Sequence, residues 1–179
     1  MGVKVRGRKG TYRYLIVGLL TLMFTISIGV TAFGGQYEDA VAAYKRGDYE
    51  TAYQLLKPLA QQGIPIAQYN LGVMYDNGKG VPQDYAEAMN WYRRAAEQGL
   101  ADAQHNLGWV YFEGQGVPQD YILAHMWFSL AVSRFPASEG EKREQAVKDR
   151  DIVASKMTPA QTAEAQRLAR EWKPKKEVK

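Results

Sequence analysis

The sequence predicts an all-α protein, an α/α superhelical solenoid of helical hairpins with a C-terminal capping helix. Three observations predict it. The octet GKGVPQDY at residues 78–85 returns as GQGVPQDY at 114–121, seven of its eight letters unchanged at a spacing of 36, and a period of that size marks stacked helical hairpins. Small and apolar residues flanking the octet recur at the spacing of helix faces. There is no cysteine, so disulfides, thiolate zinc sites and cysteine nucleophiles are excluded and stability must come from packing.

The chain opens on MGVKVRGRKGTYRY, then the apolar run LIVGLLTLMFTISIGV, then TAFGG. A basic segment, an apolar core from Leu15 to Val30, and small residues in Val30-Thr31-Ala32 are the parts of an export signal with a cut near Ala32. The rival is an uncleaved anchor, because extending the run from Tyr14 to Phe33 just meets the ~20 residues that span a bilayer. Both place the remainder outside the cytoplasm, since the positive flank stays inside. The protein is therefore expected to be periplasmic or secreted, or else held in the inner membrane by residues 1–32 alone.

The net charge of +4 and sequence pI near 9.2 belong largely to that leader. Lys4, Arg6, Arg8, Lys9 and Arg13 precede the first acid, Glu38, and the remaining 18 basic residues face 19 acidic ones. A nearly neutral exported part speaks against nucleic acid as partner.

Residues 33–135 read as repeats: a short first unit over 37–63, then full units over 64–99 and 100–135. In one full period, Ala67, Leu71, Gly72 and Tyr75 share one helix face, and Ala88, Trp91, Tyr92 and Ala95 share another. Each unit is thus an inner helix, a glycine loop and an outer helix, with Gly72 and Ala88 letting backbones approach and Trp91 and Trp127 wedged between units. Gly78 and Gly80 suit a tight reversal, Val81 plugs the loop onto the core, and Asp84 starts the outer helix. Glu87, three residues on, predicts a capping box that Leu123 cannot complete in the next copy. The first unit aligns from Asp48-Tyr49 to Gly63 but lacks the long loop.

Residues 136–173 form the expected cap. A charged helical stretch over 139–156 precedes Thr158-Pro159-Ala160-Gln161, a capping-box start with proline at the first helical position. Ala165, Leu168, Ala169 and Trp172 form one apolar stripe able to close the stack, as a terminal repeat must. Residues 174–179 read as a frayed, solvated tail.

The stretch AQYNLGVMYDNGKGVPQDYAEAMNWYRRAAEQGLADAQ resembles the Sel-one-like repeat family, relatives of tetratricopeptide repeats, and DIVASKMTPAQTAEAQRLAREW looks like the C-terminal segment of bacterial members. The resemblance implies a superhelix used mainly for protein–protein contacts, with the inner helices lining a concave groove. It implies no single activity and no cofactor.

Chemistry is sparse. The octet has no following lysine to complete a phosphate loop, and its aspartate would repel an anion. His105 and His125 lack metal-ligand spacing, no serine sits in a nucleophile elbow, and carboxylates are scattered over solvent faces. No enzyme, metal or cofactor is expected. By helix angle, Tyr69, Asn70, Val73 and Asp76 point away from the core stripe, as do His105, Asn106, Trp109 and Phe112 one unit later. These eight residues are the candidate binding face, with the aromatics as anchors. The function expected is an exported scaffold binding a protein or peptide partner in the cell envelope. Alternatives are a cell-wall-directed enzyme or ligand-binding protein acting on peptidoglycan fragments, and a membrane-tethered periplasmic regulator.

Overall fold

A computed structural model describes residues 35–175, and the expected export leader with its cut near Ala32, as well as positions 176–179, lie outside them. The described chain is helical, with no strand among the described residues. Its helices are α1 (35–45), α2 (Tyr49–Gln61), α3 (Pro65–Asn77), α4 (Tyr85–Glu97), α5 (Ala101–Glu113), α6 (Tyr121–Arg134), α7 (Gly140–Ala154) and α8 (Pro159–Glu171), with a short 3-10 turn over Ala137–Glu139. From α2 to α6 each helix packs on the next, and α6 then receives both α7 and α8. This is the expected solenoid of hairpins.

Local chemistry sets the ends of these helices. Asp48, Asp84 and Asp120 cap α2, α4 and α6 by accepting from backbone N–H groups of the first turn, which are otherwise unsatisfied. The capping box expected between Asp84 and Glu87 is only half formed. Asp84 accepts from the Glu87 N–H at 3.0 Å, but the Asp84 N–H is already committed to the Tyr75 carbonyl at 3.0 Å. The loop's own closure uses the donor that Glu87 would have taken. Thr158 and Gln161 do form the full box at the start of α8.

The two long loops do more than reverse the chain. Gly80 and Gly116 have φ of 73° and 71°, a region that glycine enters without steric cost. A Cβ on Gly80 would stand 2.5 Å from the Tyr49 carbonyl oxygen, and one on Gly116 would stand 2.9 Å from that of Tyr85. Each loop therefore lies on the first residue of the preceding unit's outer helix, 36 residues apart in the two copies. Val81 packs into the first core cluster as expected.

Within a hairpin the inner helix offers a glycine to an aromatic ring. Gly72 faces the buried ring of Tyr92, and Gly108 faces the buried ring of Phe128. Trp127, 6% exposed, sits between units and meets Trp172 edge-on at 6.3 Å between ring centroids. Trp91 is only half-buried and packs against the first cluster, around Leu59 and Leu71.

Two fully buried glutamines join successive units. Gln68 donates to the Ala60 carbonyl at 3.2 Å and Gln104 to the Ala96 carbonyl at 3.1 Å, in each case at the end of the preceding outer helix. Each carbonyl also accepts the backbone N–H of the following glycine, Gly63 or Gly99, so the glutamine adds a second bond that ties the next unit to the end of the preceding outer helix. Gln98 completes the first joint by donating to Gln68 Oε1 at 2.8 Å. The equivalent residue in the next unit is Arg134, which stacks on Trp172 with its guanidinium carbon 4.3 Å from the ring centroid. Gln104 Oε1 consequently has no hydrogen-bond partner among the described residues.

α8 docks its predicted stripe, with Ala165 fully buried and Leu168, Ala169 and Trp172 against the second cluster. The expected free tail does not begin at 174. Lys175 donates its backbone N–H to the Glu97 carbonyl at 2.8 Å, and its ammonium lies 3.1 Å from Glu97 Oε1, because the extended segment after Trp172 passes Gly99 to reach the end of α4.

Candidate functional site

Three inner helices, α1, α3 and α5, carry the candidate face. Between α1 and α3 lies a groove of about 390 Å³ lined by Tyr37, Ala40, Val41, Tyr44, Lys45, Leu56, Tyr69, Asn70 and Val73. Its walls are mainly apolar and aromatic, with a few polar groups, the make-up of a ligand site. Asn70 Nδ2 donates to Tyr37 Oη at 3.0 Å, fixing the amide across the groove. Farther along, between α3 and α5, a second hollow of about 230 Å³ is bordered by Asp76, Tyr92, Asn106, Trp109, Glu113 and Gln115.

Electrostatics distinguish the two. Tyr92 Oη donates to Asp76 Oδ2 at 3.1 Å, and burial first, then the Asp76 charge, pushes the Tyr92 phenol well above its ordinary value. Burial likewise raises the Tyr69 phenol, with Asp102 adding to it. Both stay neutral donors at physiological pH. Asp76 and Glu113 make the second hollow acidic, whereas Lys45 is the charged residue of the first.

The eight sequence-predicted residues do not form one exposed row. All are half-buried. Tyr69, Asn70 and Val73 come together in the first groove; Asp76, Asn106 and Trp109 come together in the second. His105 and Phe112 line neither of these two. His105 Nε2 lies 2.7 Å from Asp149 Oδ2, and the ring packs against Phe128 and Phe135 at 5.3 and 6.4 Å between centroids. Phe112 packs against Trp109 and Tyr121. Trp109 also meets Phe128 edge-on at 5.7 Å, so the aromatic expected to be the main anchor is in part a core residue.

The physical reason is α7. Its side chains Ala146, Asp149 and Val153 are buried, and Asp149, 2% exposed, also accepts from Gln145 at 2.9 Å. Lys142 adds contacts to Asp102 Oδ1 and Glu139 Oε2, each at 2.9 Å. A helix that reads as a solvated charged stretch thus covers the far end of the predicted face.

Sequence reasoning missed α1 altogether as a wall. Tyr37, Val41 and Tyr44 repeat the i, i+4, i+7 spacing of a helix face, and that signal was available.

No group of three or more metal-ligating side chains occurs among the described residues, and none of the described helices is long and apolar enough to cross a membrane.

Comparison with known proteins matches the Sel1 repeat model to residues 36–64, 65–100 and 101–134. Localization factor PodJL of Caulobacter vibrioides is 46% identical over 56 residues, which cover 31% of this chain and 6% of that protein. Among solved structures, c5321, a protective antigen of uropathogenic Escherichia coli with an SLR fold, superposes with a TM-score of 0.70 at 31% identity, over 78% of this chain and 29% of that one. A Sel1 repeat protein from Oxalobacter formigenes superposes with a TM-score of 0.54 at 32% identity, over 70% of this chain and 98% of its own. The chain thus spans a small part of PodJL and of c5321. With the three repeats matched over more than half its length, the chain belongs to the Sel1 repeat family.

Proposed function

We propose that the protein is an exported repeat scaffold that binds a peptide or protein partner in the bacterial cell envelope, without an enzymatic activity of its own. The observation that carries the reading is the α1–α3 groove, where aromatic and aliphatic walls surround an amide fixed by Tyr37. Apolar anchors with a few placed polar groups suit a peptide better than a small charged metabolite. The basic leader followed by an apolar run supports export, either with cleavage near Ala32 or with residues 1–32 retained as a tether.

The test uses a photo-crosslinking residue in place of Val73 in the full chain, expressed in its own cells. A discrete cross-linked partner, lost on Val41→Asp while the melting temperature holds, is expected. Cross-linking unaffected by Val41→Asp would remove the groove from the reading. Trp109 is avoided because its truncation also unpacks Phe128. Intact-mass measurement of the cellular protein is expected to show Phe33 as the first residue. Retention of Met1 in the membrane fraction would favour the tether, and recovery from the cytoplasm would overturn export.

A further inference from the structure

The one letter that separates the two octets, Lys79 against Gln115, falls beside different grooves. Gln115 borders the acidic hollow between α3 and α5. Lys79 reaches toward α1, where its Nζ donates to Tyr44 Oη at 3.2 Å and lies 5.1 Å from the ring centroids of both Tyr44 and Tyr49. Tyr44 and Lys45 line the α1–α3 groove. Among the described residues, neither Lys45 nor Lys79 is in an ion pair.

Hydrogen-bond accounting shows what this end of the groove offers. Tyr44 Oη accepts from the ammonium, so its own O–H is free to donate. Tyr37 Oη accepts from Asn70, so the Tyr37 O–H and Asn70 Oδ1 stand available to a backbone amide unit. The groove thus presents Lys45 and the Tyr44 hydroxyl, with Lys79 held against Tyr44, together with an apolar floor and the donor–acceptor pair of Tyr37 and Asn70.

We propose that the α1–α3 groove seats an extended acidic peptide segment of the partner, with an aliphatic or aromatic side chain on Val41, Tyr69 and Val73 and an Asp or Glu carboxylate between Lys45 and Lys79. The proposal rests on the peptide-binding reading of the groove and adds the chemistry of the ligand. Charge complementarity selects the acid: two unpaired ammonium groups and a phenol donor recognise a carboxylate and repel a basic side chain. The apolar floor selects a peptide over a nucleic acid, which would need a run of cations along its phosphates.

The experiment selects phage-displayed random dodecapeptides on the purified full chain, then measures a labelled enriched peptide by fluorescence anisotropy. Enriched peptides are expected to carry Asp or Glu beside a large apolar residue. Lys45→Glu/Lys79→Glu should weaken the labelled peptide by about tenfold or more. Lys45→Glu alone should weaken it with the melting temperature unchanged, because Lys45 is exposed and makes no ion pair among the described residues, whereas Lys79→Glu also gives up the contacts to Tyr44 and Tyr49. Replacing the peptide's acid by lysine should restore binding to that variant, and added salt should weaken the wild-type complex.

Neutral or basic consensus peptides, or an affinity indifferent to the double substitution, would overturn the proposal. So would cross-links from Lys45 to Lys4 or Lys9 in peptide-free protein, which would give the groove to the chain's own leader. Self-association lost on Lys45→Glu would give it to a second copy. Peptides that bind only where Asn106→Ala removes them would sink this inference and leave the scaffold reading standing. Failure both to enrich peptides and to capture a cellular partner would sink both.

Discussion

Replacing Gly108 by alanine is expected to destabilise the array although alanine is the better helix former. Gly108 lies inside α5, where alanine would gain up to about 1 kcal/mol in intrinsic propensity. The structure opposes that gain. An added Cβ would stand 2.7 Å and 2.8 Å from two ring carbons of Phe128, closer than carbon atoms pack. The ring has no room to withdraw, since Phe128 is fully buried and His105 and Trp109 press on it at 5.3 and 5.7 Å between centroids. Forcing extra volume into such a core costs about 1–3 kcal/mol. The net loss should therefore be up to about 2 kcal/mol, or up to roughly 8 °C in melting temperature for a chain of this size.

Urea unfolding followed by far-UV circular dichroism measures it. Gly140→Ala is the matched control: Gly140 is also helical, but a Cβ there meets nothing within 4 Å, so stability should rise by about 0.4–1 kcal/mol. Gly108→Ala/Phe128→Leu should cost less than the two single changes together, because both act on one space. If Gly108→Ala were more stable than the wild type, the close approach of α5 and α6 through Phe128 would be wrong.

Trp127→Ala should cost about 3–5 kcal/mol in the same assay, as a large-to-small change at a buried site, and should also expose α8 to hydrogen exchange through loss of the Trp172 contact; a loss confined to α6 would contradict the packing. Asp149→Ala should cost about 1–3 kcal/mol by leaving the His105 ring without its partner, with exchange rising first in α7, and protection unchanged there would mean the His105 contact does not hold the helix. Burial first, then Arg150, lowers the His125 pKa below its ordinary 6.5, so the unfolded state takes up the proton at higher pH. Stability from His125 is then complete above about 6.5 and lost as pH falls through the folded value. Melting temperature between pH 7 and 5 should fall more steeply in the wild type than in His125→Gln, and equal slopes would remove His125 as the cause.

Much of this architecture is legible in the sequence because it is periodic. The 36-residue repeat, the aspartates at the outer-helix starts, the glycines with positive φ and the Thr158–Gln161 box all follow from local chemistry, and the structure shows each. Gln68 and Gln104 are harder to read, since buried polar residues look like surface ones until the Ala60 and Ala96 carbonyls they donate to are located. Their recurrence beside the core stripe was the available clue. The binding face failed at its far end for a different reason. Helix angles say where a side chain leaves its own helix, not which helix arrives over it. α7 buries only Ala146, Asp149 and Val153 among many charges, so its sequence carries no apolar stripe to announce that it covers His105 and packs Val153 beside Trp109 and Phe112.

The seating of Gly80 on Tyr49 and of Gly116 on Tyr85 gives the gene a splice rule. Every loop recognises a feature that every unit also supplies, the first residue of an outer helix, and recognises nothing farther away. A duplication of 36 residues therefore inserts a copy whose loop finds its predecessor and whose outer helix receives its successor, with nearest-neighbour contacts conserved throughout. The two ends differ: α1 and α2 form a unit without the long loop, and α6 receives α7 and α8 in place of a third glycine loop. Growth of the array is confined to the middle, and each copy added there would lengthen the row of inner helices while leaving the α1–α3 groove as it is.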